Sequence, residues 1–117
     1  MEIPYKINKN VILVGGRQVQ FEYEIMEVAE IGGFLVVLLD IPNEVKDVVD
    51  NVFGVNKVGQ LSWQIQDLRE SYPYLNDVPY IGIRIDELNQ IKAIKASGVF
   101  YYINPTNGKI IGHGSSK

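Results

Sequence analysis

The chain offers few side chains that could carry out covalent chemistry. Its one histidine, His113, lies in a stretch of glycine and serine near the C-terminus, and the 117 residues include no cysteine. A catalytic triad would have to use this histidine, yet no serine stands in the Gly-x-Ser-x-Gly setting of a nucleophile elbow. Disulfides, thiol nucleophiles and zinc-thiolate sites are excluded, and a histidine-based metal site lacks partners. We therefore expect no enzyme activity, no metal site and no cofactor.

Two glutamates form the closest pair of carboxylates in the sequence. Glu22 and Glu24 lie on one face of a predicted strand, so their α-carbons are roughly 6.5–7 Å apart, and such a pair can share a proton or bind a hard cation. They alternate with Gln18 and Gln20, a pattern that is typical of the solvated face of an outer strand. Any function of Gln20, Glu22 and Glu24 is then expected to be contact with a basic partner.

A second candidate surface is the aperiodic stretch over residues 67–79. It carries Arg69, Tyr72 and Tyr74, residue types that are enriched at protein–protein hot spots. Tyrosine loses little rotamer entropy when it becomes ordered, which suits a recognition loop. The alternative interpretation is that the tyrosines fold back over the core. Both interpretations stay open at this point.

The remaining polar and glycine clusters indicate loops. The acidic group after Pro42, which includes Asp47 and Asp50, lacks the spacing of an EF-hand and is interpreted as a solvated loop. The glycine pairs at 15–16 and 32–33 lack the Gly-x-Gly-x-x-Gly and Walker patterns, so they are interpreted as turn glycines.

Period-2 alternation of apolar and polar residues dominates the first 40 residues. It predicts a hairpin over residues 11–23, and a break in phase at Ile25-Met26 indicates a β-bulge. A helix over residues 21–31 is the rival interpretation, because apolar residues there also fit helical spacing. Residues 34–40 are apolar on both faces, which predicts a central strand covered on both sides.

The second part of the chain continues the same pattern. Residues 43–50 could form one or two helical turns or a loop. Strands are predicted at 51–56, 60–66, 80–86, 91–97, 99–104 and 109–112. Trp63 is expected in the core, with its indole N–H bonded to a partner. The sequence thus predicts a mainly β fold: one antiparallel domain over residues 1–117, with eight to ten short strands in a two-layer sandwich or roll and at most one short helix.

Two segments of the predicted sheets repeat each other. Residues 52–63 and 100–112 each contain a strand that ends in asparagine, a turn with glycine and a second strand. These hairpins resemble the blade hairpins of quinoprotein-type β-propellers. A complete propeller does not fit, since four blades of about 40 residues each would exceed this chain.

The layout of the whole chain also resembles that of small uncharacterised bacterial domains that include immunity proteins. The resemblance rests on an N-terminal hairpin, a Val/Leu-rich strand, the Trp-Gln-Ile strand at 63–65 and an Asn-Pro-x-x-Gly-Lys hairpin at 104–109. It implies a non-enzymatic protein-binding module that neutralises a toxin, which would be a basic protein. The alternative is a small-ligand or carbohydrate-binding module in which Tyr72, Tyr74 and Tyr80 stack on the ligand.

Composition and charge limit the partners further. The net charge is −3 and the lysines are scattered, which argues against binding to nucleic acid. No signal peptide or apolar run long enough for a membrane span is present, so we expect a cytoplasmic protein with no membrane contact. Because an exposed edge strand can pair with another copy, we expect a monomer or a homodimer.

Overall fold

The computed structural model describes residues 2–70 and 78–115, and within them it shows eleven strands. In chain order these are β1 (Lys6–Asn8), β2 (Val11–Val14), β3 (Arg17–Gln20), β4 (Ile25–Ile31), β5 (Phe34–Leu39), β6 (Val52–Asn56), β7 (Leu61–Gln64), β8 (Tyr80–Ile85), β9 (Ile91–Lys95), β10 (Val99–Ile103) and β11 (Ile110–Ser115). A 3₁₀ turn, Leu68–Glu70, follows β7.

The strands form three antiparallel sheets, each made of strands that follow one another in the chain. The first sheet has the order β1-β2-β3, the second β4-β5-β6-β7 and the third β8-β9-β10-β11. Most hydrogen-bonded neighbours are joined by a short turn, whereas a loop over residues 40–51 joins β5 to β6, and no connection crosses over within a sheet. Tight turns of this kind are the simplest way to join antiparallel strands.

The second sheet lies between the other two, and β5 shows this most clearly. Leu35, Val37 and Leu39 pack with apolar residues of the first sheet, including Ile12 and Val19. The intervening residues of β5 face the opposite way and pack with the third sheet. Both faces of β5 are thus buried, and the prediction of a doubly covered strand at 34–40 is confirmed.

The antiparallel, mainly β prediction is confirmed, but the layers and the strand count differ from those expected. The prediction was a two-layer sandwich or roll of eight to ten strands, whereas the structure has three sheets and β1 adds an eleventh strand that the sequence pattern did not indicate. The predicted break at Ile25-Met26 is confirmed as a register shift between Ile25 and Glu27. The helical alternative for residues 21–31 is wrong, because 25–31 are strand, and residues 43–50 form a loop.

The repeated hairpins occupy equivalent places. The pair β6–β7 forms the last two strands of the second sheet, and the pair β10–β11 forms the last two strands of the third. The structure also shows a copy of the turn that the sequence comparison missed. Asn56 Oδ1 accepts bonds from the N–H groups of Val58 and Gln60, and Asp86 Oδ1 accepts the same pair from Leu88 and Gln90.

The turn glycines pack one sheet on the next. Gly59, in the β6–β7 turn, lies against the backbone of Val14, so that an added Cβ would be 2.5 Å from its carbonyl oxygen. Gly108, in the β10–β11 turn, lies against the ring of Trp63 in the same manner. The indole N–H of Trp63 donates to the Pro105 carbonyl at 2.7 Å, which confirms the expected core position and hydrogen bond.

Asn51 joins the second and third sheets through a buried network of hydrogen bonds. Its side-chain amide donates to the carbonyls of Leu39 at 2.8 Å and Tyr80 at 2.9 Å, and its Oδ1 accepts the Tyr80 N–H at 2.8 Å. The residue is 1% exposed. A buried amide is tolerated when its donors and acceptor are paired, and here the pairing also fixes the start of β8 against the end of β5.

Lys95 makes a second polar contact in the third sheet. Its ammonium donates to the Val78 carbonyl at 2.6 Å and lies 4.2 Å from the centre of the Tyr80 ring. The carbonyl dipole and the ring face both favour the cation, which offsets part of the cost of burying it. Lys95 therefore fixes the chain that enters β8.

Replacement of Asn51 by alanine is expected to destabilise the fold strongly. The Asn51→Ala variant leaves two carbonyls and one N–H buried without this partner, and each such loss costs about 1–3 kcal/mol. We expect the free energy of unfolding in urea to fall by about 3 kcal/mol or more. The control is Asn43→Ala, an exposed loop position, for which a change within about 0.5 kcal/mol is expected. Equal stability of the two variants would refute the role of Asn51.

Two strand glycines provide a matched test of the contact with Trp63. An added Cβ at Gly54 would be 2.1 Å from the indole ring, whereas at Gly82 its nearest neighbour would be 3.7 Å away. Overpacking costs about 1–3 kcal/mol, so Gly54→Ala should lower the unfolding midpoint, while Gly82→Ala should leave it unchanged or raise it. Trp63 fluorescence follows both transitions. Similar midpoints for the two variants would contradict this assignment.

Candidate functional site

One polar concavity of the described residues is an open cleft of about 280 Å³ beside the second sheet. Its polar wall includes Glu22, Tyr23, Asp47, Asp50, Gln64 and Arg69, and its apolar wall includes Leu39, Val48, Val49 and Phe53. We refer to this concavity as the acidic cleft. Three carboxylates and one guanidinium lie around it, which gives it a net negative charge.

Two connections position the acidic groups. Glu22 and Tyr23 lie in a bend between β3 and β4. Backbone hydrogen bonds hold the bend on both sides: the Phe21 N–H donates to the Asn10 carbonyl at 2.8 Å, and the Ile25 N–H donates to the Lys9 carbonyl at 2.9 Å. The Phe21 ring packs on Phe53 of β6, with ring centres 5.1 Å apart. These contacts fix the bend against the second sheet.

The other acidic groups come from the loop between β5 and β6. Asp47 and Asp50 lie on this loop, and Val49 between them is buried. Asp50 directly precedes Asn51, whose hydrogen bonds hold the chain at the seam between two sheets. The sequence indicated only a solvated loop here. In the structure the C-terminal end of this loop is fixed, and that end carries the Asp50 carboxylate.

Arg69 closes the cleft on the side of β7. Its Nε and Nη2 atoms bond to the carboxylate of Asp67 at 3.0 and 3.2 Å, and Nη2 lies 3.6 Å from Asp50. Hydrogen bonds from the Arg69 side chain, and next from its backbone, lower the pKa of Asp67 below its ordinary value. The Arg69 side chain is 41% exposed, so one part of it holds the cleft wall and the rest faces solvent.

The negative charge of the cleft acts on Tyr23. Its pKa is raised above the ordinary value, first by partial desolvation and then by the carboxylates of Glu22 and Asp47. Both carboxylates disfavour the phenolate because like charges repel. The Tyr23 hydroxyl is therefore kept protonated to higher pH and can donate a hydrogen bond at the cleft.

The structure separates the residues that the sequence grouped on one strand face. The strand β3 ends at Gln20, so the alternation does not continue to Glu22 and Glu24 as predicted. Gln20 is exposed on the first sheet, and Glu24 is exposed near Asp40, whose N–H bonds to the Glu24 carbonyl at 2.8 Å. Of the predicted contact residues, the cleft brings together Glu22 and Arg69.

Other predicted residues are placed less favourably or fall outside the description. Tyr72 and Tyr74, and with them most of the 67–79 loop, lie outside the described residues. Tyr80 is 2% exposed in the core, so its ring is not available to stack on a ligand, and that part of the carbohydrate hypothesis is wrong. Its ring instead packs edge-on against Tyr101, with centres 6.2 Å apart.

The acidic groups around the cleft are spread over an open surface. Within residues 2–70 and 78–115, no three histidine or acidic side chains are arranged so that they could hold a metal ion. In the same residues every buried side-chain polar atom has a hydrogen-bond partner. Spread carboxylates on an open surface attract lysine and arginine side chains, chiefly by long-range electrostatics.

A second concavity, of about 390 Å³, is mostly apolar. Met26, Ile41 and Pro42 form one side, and Val78 and Ile81 form the other. Met26, Val78 and Ile81 are each more than 40% exposed. The sequence analysis did not identify this groove, because its walls come from four segments that are distant in the chain.

Comparisons with known proteins define the family and the fold. A family model described as a domain of unknown function, DUF7957, matches residues 3–114, and the chain belongs to this family. No curated protein matches the chain. The crystal structure of the computationally designed Ika8 protein is similar, with a TM-score of 0.52 and 12% identity over 94% of this chain and 35% of that chain. This chain thus spans about a third of the matched one.

The part of the chain that the model describes contains no helix with the length and apolar character of a membrane span.

Tyr23 can report the charge of the acidic cleft. The double variant Glu22→Gln/Asp47→Asn should lower the pKa of Tyr23 toward 10.0, whereas Glu24→Gln should leave it unchanged, because Glu24 does not contribute to the shift. Ring resonances of labelled tyrosine, followed by NMR titration, measure this value. A raised pKa also adds stability that is complete below pH 10 and is lost as the pH rises through the folded pKa. An unaltered Tyr23 titration in the double variant would disprove the electrostatic coupling.

Proposed function

We propose that this member of the DUF7957 family is a non-enzymatic protein-binding module that acts as an immunity protein. In this proposal it neutralises a basic bacterial toxin in the cytoplasm by binding it at the acidic cleft. The observation that supports the proposal is the convergence of Glu22, Asp47 and Asp50 on one open concavity whose walls are held by the folded core. The resemblance of the chain's layout to immunity-type domains points to the same class of function.

The charge arrangement suits a rapid encounter with a basic surface. Three carboxylates raise the local concentration of a cationic partner and orient it before contact, which increases the association rate. Glu22 and Asp47 are exposed, so binding a lysine or arginine there does not first require the removal of an internal partner. Arg69 is held by Asp67 and limits how many cations the cleft accepts.

The walls of the cleft contribute specificity in this proposal. Tyr23 offers a protonated hydroxyl, and Gln64, anchored by its bond to the Asp50 carbonyl at 2.8 Å, offers an amide oxygen. Both groups can bond to a guanidinium or ammonium group that the carboxylates have attracted. Because the surrounding backbone is fixed, little ordering is needed on binding, and preorganisation of this kind increases affinity.

Binding to the proteins encoded beside this chain tests the proposal. Each neighbouring product is purified as a catalytically disabled variant and titrated against the domain by biolayer interferometry. We expect one partner to bind, with an association rate that decreases as salt is added. The variant Glu22→Lys/Asp47→Lys should weaken that binding about tenfold or more, because two attractive contacts become repulsive.

The matched control is Glu2→Lys/Glu87→Lys, which changes the net charge by the same amount at exposed positions outside the cleft. It should retain near-normal affinity. Failure of every neighbouring protein to bind would refute the immunity role, and equal weakening by both double variants would refute the cleft as the binding surface. Coexpression with the active toxin then checks that binding protects the cell.

A further inference from the structure

Most outer strands of the three sheets are protected against pairing with another chain. The outer strands β4 and β8 lie beside each other, and the Glu27 carboxylate accepts the Ile83 N–H at 3.1 Å. The outer strands of the first sheet are only three and four residues long and carry Lys6 and Arg17. The end of β7 is covered by the β10–β11 turn, where the Gln66 N–H bonds to the Gly108 carbonyl at 3.0 Å. Short, charged or covered strands of this kind resist edge-to-edge association.

The edge of β11 lacks these protections. It is six residues long, and in the described part of the chain its hydrogen-bonded strand neighbour is β10 on one side alone. It contains no proline and no lysine, arginine or acidic residue. Ile111 is 61% exposed, the highest value for a large apolar side chain in any described strand. A long, neutral edge with an exposed apolar side chain is the kind that pairs with another strand.

The glycines of β11 create a further feature on the outward face of the third sheet. Phe100 lies over Gly114, since an added Cβ there would be 2.6 Å from its ring, and Tyr102 lies beside Gly112. The two rings contact each other edge-on with centres 5.5 Å apart, and the Lys92 ammonium is 4.3 Å from the centre of the Phe100 ring. On this face β11 therefore presents the backbone of Gly112 and Gly114, which we call the glycine floor, and the rings of Phe100 and Tyr102 lie over it.

We propose that two copies of this chain associate through β11, in an antiparallel pairing centred on His113. In this register Gly112 of each copy lies opposite Gly114 of the other. The two third sheets become one continuous eight-stranded sheet, and the rings of Phe100 and Tyr102 from both copies line the glycine floor across the seam. Aromatic rows and main-chain hydrogen bonds together stabilise such a junction.

Charge and sterics favour a second copy as the occupant. The chain has a net charge of −3, so two copies repel each other over most of their surfaces, but β11 carries no formal charge when His113 is neutral. Self-pairing therefore opposes no like charges within β11, and Gly112 and Gly114 add no side chain that could clash across the seam. A basic partner at the acidic cleft would gain nothing from this neutral edge. The dimer is independent of the proposed function, because no residue of β11 lines the cleft.

Sedimentation and cross-linking test the proposal. The full chain should sediment as a dimer at about 100 µM and dissociate on dilution by mass action. The chain has no native cysteine, so His113→Cys introduces one thiol per copy. Opposed α-carbons about 4.5–5.5 Å apart lie within the range for a disulfide, and we expect rapid oxidation to a covalent dimer. The control Leu88→Cys, on a turn residue that is 76% exposed, should cross-link at least tenfold more slowly.

Two lysine variants separate the interface from general effects of surface charge. Ile111→Lys should sediment as a monomer and keep the thermal stability that the wild type shows at dilutions where it is dissociated, whereas Leu88→Lys should remain a dimer. A wild-type chain that stays monomeric at the highest concentration would overturn the proposal. Equal cross-linking of the two cysteine variants, or a dimer that survives Ile111→Lys, would do the same.

Discussion

A strand that is apolar on both faces must be covered on both sides, and β5 imposes this constraint on the whole fold. Five of its six residues are buried, and alternate residues point into two separate hydrophobic clusters. One sheet packed against β5 would leave the side chains of its other face in water. Since each exposed aliphatic side chain forfeits about 1.5–3 kcal/mol of burial, a third layer is the stable solution. The first and third sheets are the two covers that β5 requires.

Stacking three sheets raises a second problem, which is how to set their spacing and orientation. Apolar contacts are not directional, so they allow sheets to slide. The specific contacts lie at the seams: the Asn51 amide between β5 and β8, the Trp63 indole on Pro105, and the turn glycines 59 and 108 against the preceding sheet. Each of these contacts has a defined donor or a close approach that only one alignment satisfies. Hydrogen bonds and glycine contacts thus select one arrangement among those that burial permits.

Much of the strand pattern was predictable because period-2 alternation and turn chemistry are local. The doubly apolar run at 34–40, the bulge after Ile25 and the hairpin turns were each encoded by neighbouring residues. The connection after Asp86 was predicted, but its likeness to the repeated turns was missed because Asn89 replaces glycine at the left-handed position, with φ of +59°. Asparagine tolerates that conformation, so a search that relies on glycine overlooks it.

The number of layers and the candidate site were not predictable by the same means. Alternation shows which face of a strand a side chain lies on, but not which sheet packs against that face. A strand that is buried on both faces is as compatible with one curled sheet as with a third layer. Glu22 and Asp47 are distant in the chain and meet because a bend ends β3 early at Gln20. The bend depends on Phe21 packing against Phe53, a contact between two sheets. Sites built at seams require the tertiary arrangement before their members can be grouped.

The same architecture explains where binding surfaces can occur in this domain. The interior is occupied by apolar side chains and fully paired polar groups within the described residues, which leaves the ends of strands and the outer edges. Asp50 and Asn51 show how the end of a loop can still be rigid. The Asp50 side chain faces the acidic cleft, and the Asn51 side chain is buried and hydrogen-bonded to two sheets. The cleft carboxylate is therefore held by the network that aligns the stack. A substitution that removes the hydrogen bonds of Asn51 would therefore lower the stability and also let the carboxylate of Asp50 change position. In this fold the alignment of the sheets and the shape of the acidic surface depend on the same contacts.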